Sequence, residues 1–296
     1  MEFQSIATGY YLEALGVAED AVWFSDVVTG GVRRLSKDGR IDEWLPGKRW
    51  IGSILLNDDG CVFSSGAGGI AWVNPTTGAS GMLLESIGGE PMDGVNEITS
   101  DGMGGIYFGT LDVPAIERGQ ATKPVELYRL NSDGRVTRLC EGLRFSNGIG
   151  VSSDGRKLYH NESFVGTFAY DLASDGNLGR PTLLVKKPDC DGMAIDCEGG
   201  IWITGFRSRE ILRVFPDGTI AARIPVPGEA ATNIRFGGAD GRDLYVTTVS
   251  LASAAGLEKG ILPDSPDSVL YRARSEVAGQ QLAKPRFRLG SAEAPR

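Results

Sequence analysis

Histidine is almost missing from this 296-residue chain: His160 is the only one. With no G-x-S-x-G run either, a Ser-His-Asp hydrolase would have to be built around that single residue. Four cysteines (Cys61, Cys140, Cys190, Cys197) lack any C-x-x-C spacing, which argues against a zinc or thiol-redox site and leaves them as small apolar fillers of a reduced protein. No apolar run approaches the ~18 residues of a membrane span, and Met1-Glu2-Phe3-Gln4 opens no signal peptide. These absences predict a cytoplasmic location with no membrane partner. The net charge of −8, with Lys and Arg scattered along the chain, excludes a nucleic-acid footprint. Nothing in the chain speaks to oligomeric state.

What is abundant is glycine, 42 residues against 14 prolines, with few helical windows. That balance favours many short strands joined by tight turns. Trp23, Val62, Tyr107, Tyr159, Trp202 and Tyr245 each open an apolar strand, at intervals of about 40–50 residues. Several strands per unit at this period predict an all-β, six-bladed β-propeller with four-stranded antiparallel blades, in one domain over 1–296. Asp-Gly pairs at 38–39, 59–60, 133–134, 154–155, 217–218 and 240–241 supply the positive φ of hairpin turns. Ring closure requires that residues from Phe3 to Thr8 add an outer strand to the last blade, beside Ser268–Arg272. The inserts at 112–124 and 251–266 are expected as rims or lids on the face that carries the site.

Five polar residues recur at one phase of the repeat, each 10 to 12 residues ahead of an aromatic opener: Glu13, Asn96, Asn147, Asp191 and Asn233. In blade two the position is apolar, Ile51, flanked by Trp50 and Gly52. A propeller points the entrance residues of its innermost strands toward the axis. Carboxylates and amide oxygens gathered there are hard donors, suited to Ca²⁺, Mg²⁺ or Mn²⁺. The competing reading is local: Asn or Asp before Gly commonly caps a turn, and Asn233 fits that role at least as well. His160, inside an apolar strand, is read first as a hydrogen-bonded structural residue, with a substrate-lining role second. Trp50, Trp72, Phe164 and Phe206 are read first as blade-core aromatics and second as walls of an apolar pocket. Arg207 and Arg209, in a blade-five turn, read as solvated.

Phe145-Ser146-Asn147-Gly148-Ile149, followed by Ser153-Asp154-Gly155 and Leu158-Tyr159, resembles a segment of the senescence marker protein/gluconolactonase/luciferin-regenerating enzyme family. Asp191-Gly192-Met193-Ala194-Ile195-Asp196 with Gly199-Gly200-Ile201-Trp202, and Phe236-Gly237-Gly238 with Leu244-Tyr245-Val246-Thr247, are similar to two further runs of that family. The resemblance implies one bound divalent metal, Ca²⁺ first, with Mg²⁺, Mn²⁺, Zn²⁺ or Fe²⁺ as alternatives. It implies Glu13, Asn147 and Asp191 as its ligands, with Asn96 at the substrate or adding a metal bond. The implied activity is hydrolysis of a small lactone or ester whose carbonyl the metal polarises, with Asp191 as general base toward water. Trp50, Ile51 and His160 complete the expected substrate contacts. Glu13-Ala14-Leu15 departs from the family's E-G-P, and Gly94 stands where sugar lactonases carry an arginine. Both the missing guanidinium and the apolar blade-two wall point to a substrate less polar than a sugar lactone, unless Arg118 or Lys123 of the first insert restores polar contacts. A metal-dependent lyase or isomerase, and a non-catalytic interaction propeller, are the alternative functions.

Overall fold

The computed structural model describes residues 1–281 and 283–289. Six antiparallel sheets follow one another along the chain as the blades of a β-propeller. Their innermost strands are Leu12–Val17, Ile54–Leu56, Gly94–Ser100, Ser146–Val151, Cys190–Ile195 and Ala230–Gly237. Each Asp-Gly turn named above folds for the same two reasons. Its glycine lies at positive φ, from 67° to 87°, and its aspartate Oδ1 accepts the N–H two residues on, as Asp154 does from Arg156 at 3.0 Å.

The ring closes as the sequence requires. Phe3–Gly9 is the outer strand of blade six, paired antiparallel with Ser268–Arg274 from Phe3↔Ala273 to Gly9↔Ser268. Blade three carries one addition, the two-residue strand Gly66–Ala67, borrowed from the blade-two connection and paired to Gly94 and Val95.

The recurring aromatics sit on the second strand of each blade and fasten that blade to the next. Trp23 packs on Ile51 and Ile54 of blade two, and Tyr107 on Ile149 and Leu158 of blade four. Tyr159 meets Cys190, Met193 and Ile195 of blade five. Trp202 meets Ala231, Ile234 and Leu244 of blade six, and Tyr245 returns to Leu12 and Leu15 of blade one. The ~40–50-residue period is therefore the period of an inter-blade contact, the burial that makes a propeller stable. Trp72, read as a core aromatic, packs against the blade-two and blade-three core.

The two inserts form short helices, α1 (Val113–Glu117) and α2 (Leu251–Leu257), capped by Asp112 and Ser250. Among the described residues no helix is long and apolar enough to cross a membrane. The C-terminal segment crosses the other end of the ring. Cys197 N–H donates to Ala278 O at 2.9 Å, Gln280 N–H to Ile195 O at 2.8 Å and Arg286 N–H to Gly104 O at 2.8 Å. Phe287 is buried against Phe63.

Candidate active site

Four inner strands are irregular at the same place. The ladder slips between Leu12 and Leu15, Val95 and Ile98, Ser146 and Ile149, and Cys190 and Met193. Each slip is a bulge that frees the side chain within it from the sheet's alternation. The freed residues are Glu13, Asn96, Asn147 and Asp191, and all four line one cavity of about 730 Å³ at the mouth of the ring. In blade six the slip falls between Ala231 and Asn233, so Asn233 sits out of phase. Its Oδ1 accepts from Arg235 Nη1 at 2.9 Å and its Nδ2 faces Gly52 O, below the cavity.

Glycines let the inner strands crowd together here. A Cβ on Gly148 would lie 2.6 Å from Met193 Cβ, one on Gly192 2.6 Å from Asn233 Cα, and one on Gly52 2.3 Å from Asn96 Oδ1. The Asn-Gly and Asp-Gly pairs at 147–148 and 191–192 are thus close-approach points of neighbouring strands, not turns.

A chain of hydrogen bonds orients the amides. Ser163 Oγ donates to Cys190 O at 2.6 Å and accepts from Asn147 Nδ2 at 2.8 Å. That leaves Asn147 Oδ1 facing Asn96, whose Nδ2 donates to it at 2.6 Å and to Ser146 O at 2.9 Å. Asn161 Nδ2 pins the backbone carbonyl of Asp191 at 2.7 Å. The carboxylates are different. Among the described residues no Lys or Arg ion-pairs with Glu13 or Asp191, and no three His, Cys, Asp or Glu side chains gather into a ready-made metal cluster. Burial pushes the Asp191 carboxyl well above the usual range, helped by Glu97 and Asp189. Glu13 is likewise pushed up by burial, then by Asp191, then by Glu97.

Glu97 went unnoticed in the sequence. It sits one residue past Asn96, 3% exposed, and accepts from Ser53 Oγ at 2.5 Å and Arg235 Nη2 at 2.7 Å. Arg235 reaches it from blade six and also donates to Met193 O at 2.7 Å, so this pair ties blades three, five and six beneath the cavity floor. Its only sequence signal is a charge at a strand position that otherwise reads apolar.

Two expected substrate contacts fall elsewhere. Ile51 is 1% exposed and packs between blades one and two. Trp50, at a positive φ of 59°, and Gly52 on either side of it line the cavity. His160 is fully buried on the second strand of blade four, its Nε2 2.8 Å from Ser146 Oγ, and desolvation lowers its pKa to about 4. It reaches no cavity surface. Conversely, Phe164 and Phe206, read first as core, line the cavity together with Phe145 and Arg207. The inserts are rims as expected: Ile116 and Gln120 come from the first, Leu257 and Glu258 from the second. Arg118 and Lys123 do not line the cavity: Arg118 donates to the lining residue Gln120, and Lys123 pairs with Asp93.

A propeller that frees two unpartnered carboxylates and two oriented amides from its inner strands, under a half-apolar mouth, defines a small-molecule site at the ring axis. The family model described as SMP-30/Gluconolactonase/LRE-like region matches residues 14–250, and the chain belongs to that family. It is 30% identical over 274 residues to L-arabinolactonase of Azospirillum brasilense, covering 89% of this chain and 87% of that protein. With pentonolactonase XacC of Haloferax volcanii it shares 32% identity over 160 residues, 52% of each chain, so that match spans about half of either protein. The solved structure of a calcium-binding protein, regucalcin, from Agrobacterium tumefaciens superposes with a TM-score of 0.79 at 19% identity, over 97% of this chain and 98% of that one.

Proposed function

We propose that the protein is a hydrolase of a small lactone or related ester that works with one divalent cation held by Glu13, Asn147 and Asp191. The observation that carries this reading is a pair of carboxylates lining one cavity, their pKa values both raised by burial and then by neighbouring carboxylates (Asp191 and Glu97 for Glu13, Glu97 and Asp189 for Asp191), with no basic partner among the described residues. Two like charges are stable together there only when protonated or when a cation lies between them. Asn147 Oδ1 and the two carboxylates form an all-oxygen donor set, which fits a hard cation such as Ca²⁺ and does not exclude Mg²⁺, Mn²⁺, Zn²⁺ or Fe²⁺. When bound, such a cation polarises a carbonyl and acidifies water.

The chain's own residues supply the rest. Asp191 accepts the proton of the attacking water, and Asn96, whose two Nδ2 hydrogens go to Asn147 Oδ1 and Ser146 O, holds the Asn147 amide in place. Glu13 balances charge. Glu97 with Arg235 fixes the strand from which Asn96 projects. The relatives named as lactonases support hydrolysis over the lyase and isomerase alternatives. A pH-indicator assay across sugar, aliphatic and aromatic lactones and aryl esters, with cation present, tests the reading. Hydrolysis of at least one class, lost in Asp191→Asn, is expected. No turnover of any of them would overturn it.

A further inference from the structure

The walls above the floor carry more information than the floor does. Trp50, Phe145, Phe164 and Phe206 line the cavity, roofed by Ile116 and Leu257. Among the described residues four non-glycines have positive φ, and two of them are Trp50 at 59° and Phe164 at 73°. A bulky side chain in the left-handed region costs free energy, so both rings are held against their backbone preference. Trp50 is locked by its Nε1–H, which donates to Glu117 Oε1 on α1 at 2.8 Å. Phe164 is locked by its N–H to Pro188 O at 2.7 Å and stands edge-on to Phe145, ring centroids 6.3 Å apart. Even so, Phe164 is 52% exposed. A strained backbone that keeps an aromatic ring half in water at a cavity rim serves something that enters the cavity.

Two polar groups on the same walls are already spent. The Trp50 N–H goes to Glu117, and Asn147 Nδ2 goes to Ser163. Gly94 offers no donor, and a Cβ there would lie 2.7 Å from Val113 Cγ2, because α1 fills that space. A polyhydroxylated ring set among these aromatic walls would leave much of its polar surface without hydrogen-bond partners. Two guanidinium groups line the mouth. Arg207 is paired with Glu258. Arg144 lies over the Phe164 ring at 5.5 Å and, among the described residues, has no carboxylate within ion-pair distance.

Building on the hydrolase reading, we propose that the substrate is a lactone with an aromatic or comparably bulky apolar body and a carboxylate at its far end. The body lies between Trp50 and the three phenylalanines, with the lactone carbonyl toward Glu13, Asn147 and Asp191. The anion lies at the rim on Arg144, the end of the cavity away from the two floor carboxylates, where a planar carboxylate meets a guanidinium fork.

The test uses the full chain with divalent cation and three probes: glucono-δ-lactone, dihydrocoumarin, and dihydrocoumarin bearing a carboxylate on its benzene ring. The expected order of kcat/KM is carboxylated aromatic, then plain aromatic, then sugar, each step about tenfold. Arg144→Ala collapses the ratio between the two aromatic probes toward one, mainly through KM. Phe164→Gly, which relieves the left-handed backbone, leaves Tm no lower and yet cuts kcat/KM for the aromatic probes about tenfold. Quenching of tryptophan fluorescence by the ring-opened carboxylated product, measured without cation, reports binding independently of turnover. A sugar lactone faster than both aromatic probes would overturn the substrate proposal and leave the hydrolase reading standing. So would Arg144→Ala acting equally on both aromatic probes, or Phe164→Gly melting lower. If no probe is hydrolysed, the hydrolase reading fails, and the fluorescence titration alone then decides whether the cavity selects aromatic carboxylates.

Discussion

Asp191 and Asp196 lie five residues apart on the inner edge of the same blade and have opposite surroundings. Asp196, at the end crossed by the C-terminal segment, accepts from Glu198 N–H, Gly200 N–H, Trp202 Nε1–H and Arg213 Nε–H, all between 2.7 and 2.9 Å. Those bonds hold its carboxyl below the usual range despite burial. Asp101 repeats the arrangement in blade three with Met103, Gly105 and Arg129. At the mouth, Asp191 and Glu13 have no such partners, and their carboxyls are pushed up. The same repeat therefore makes a satisfied carboxylate at one end of the strand and an uncompensated one at the other. The first builds the blade; the second is available for chemistry.

Breaking each end should separate activity from stability. Asp191→Asn is expected to lower kcat by about 10³, in the range for loss of a general base. Because a raised carboxyl pKa makes the ionised group a cost to the fold at neutral pH, cation-free Asp191→Asn should melt no lower than wild type. A large fall in its Tm would erase the contrast. Asp196→Ala should do the reverse. It strands three donors and a guanidinium, costs about 3 kcal/mol by chemical denaturation, and spares kcat/KM per folded molecule.

His160 sharpens the comparison from within the core. Its pKa falls to about 4 in the fold against an ordinary 6.5, so the unfolded chain binds its proton first. The stability it withholds is nil above pH 6.5 and grows as pH drops toward 4, reaching at most about 3 kcal/mol. His160→Gln should flatten that part of a Tm-versus-pH curve; an unchanged acid limb would show that His160 is not buried neutral. The smallest effect belongs to Asn233→Ala, which loses an Arg235 contact worth about 1 kcal/mol. Turnover there should change less than about twofold, because Asn233 lies out of phase with the bulges that supply the other four.

Blade number and closure were legible because aromatic spacing records inter-blade packing and Asp-Gly pairs record turns. Glu13, Asn96, Asn147 and Asp191 were legible as a recurring phase, although their common cause, a bulge in each inner strand, leaves no residue signature apart from the glycines that follow Asn147 and Asp191. Asn233 shared the spacing but not the bulge, and spacing alone could not show the difference. Ile51 failed because its side chain turns into the core between blades one and two while its neighbours on both sides line the cavity, and the left-handed backbone at Trp50 has no sequence marker. Phe164 was misread for a physical reason too: an aromatic within an otherwise strand-like stretch suggests core, and a left-handed φ at a phenylalanine has no sequence marker. Glu97 and Arg235 meet across 138 positions, a pairing only the ring's closure creates.

The central claim is that the two uncompensated carboxylates at the mouth hold a divalent cation on which hydrolysis depends. Its most direct test is to chelate the protein exhaustively, then add back Ca²⁺, Mg²⁺, Mn²⁺, Zn²⁺ or Fe²⁺ singly while following lactone hydrolysis and Tm together. Turnover should vanish on chelation and return with at least one cation, which should also raise Tm in wild type and fail to do so in Glu13→Gln with Asp191→Asn. Full turnover in demonstrably cation-free protein would contradict the account.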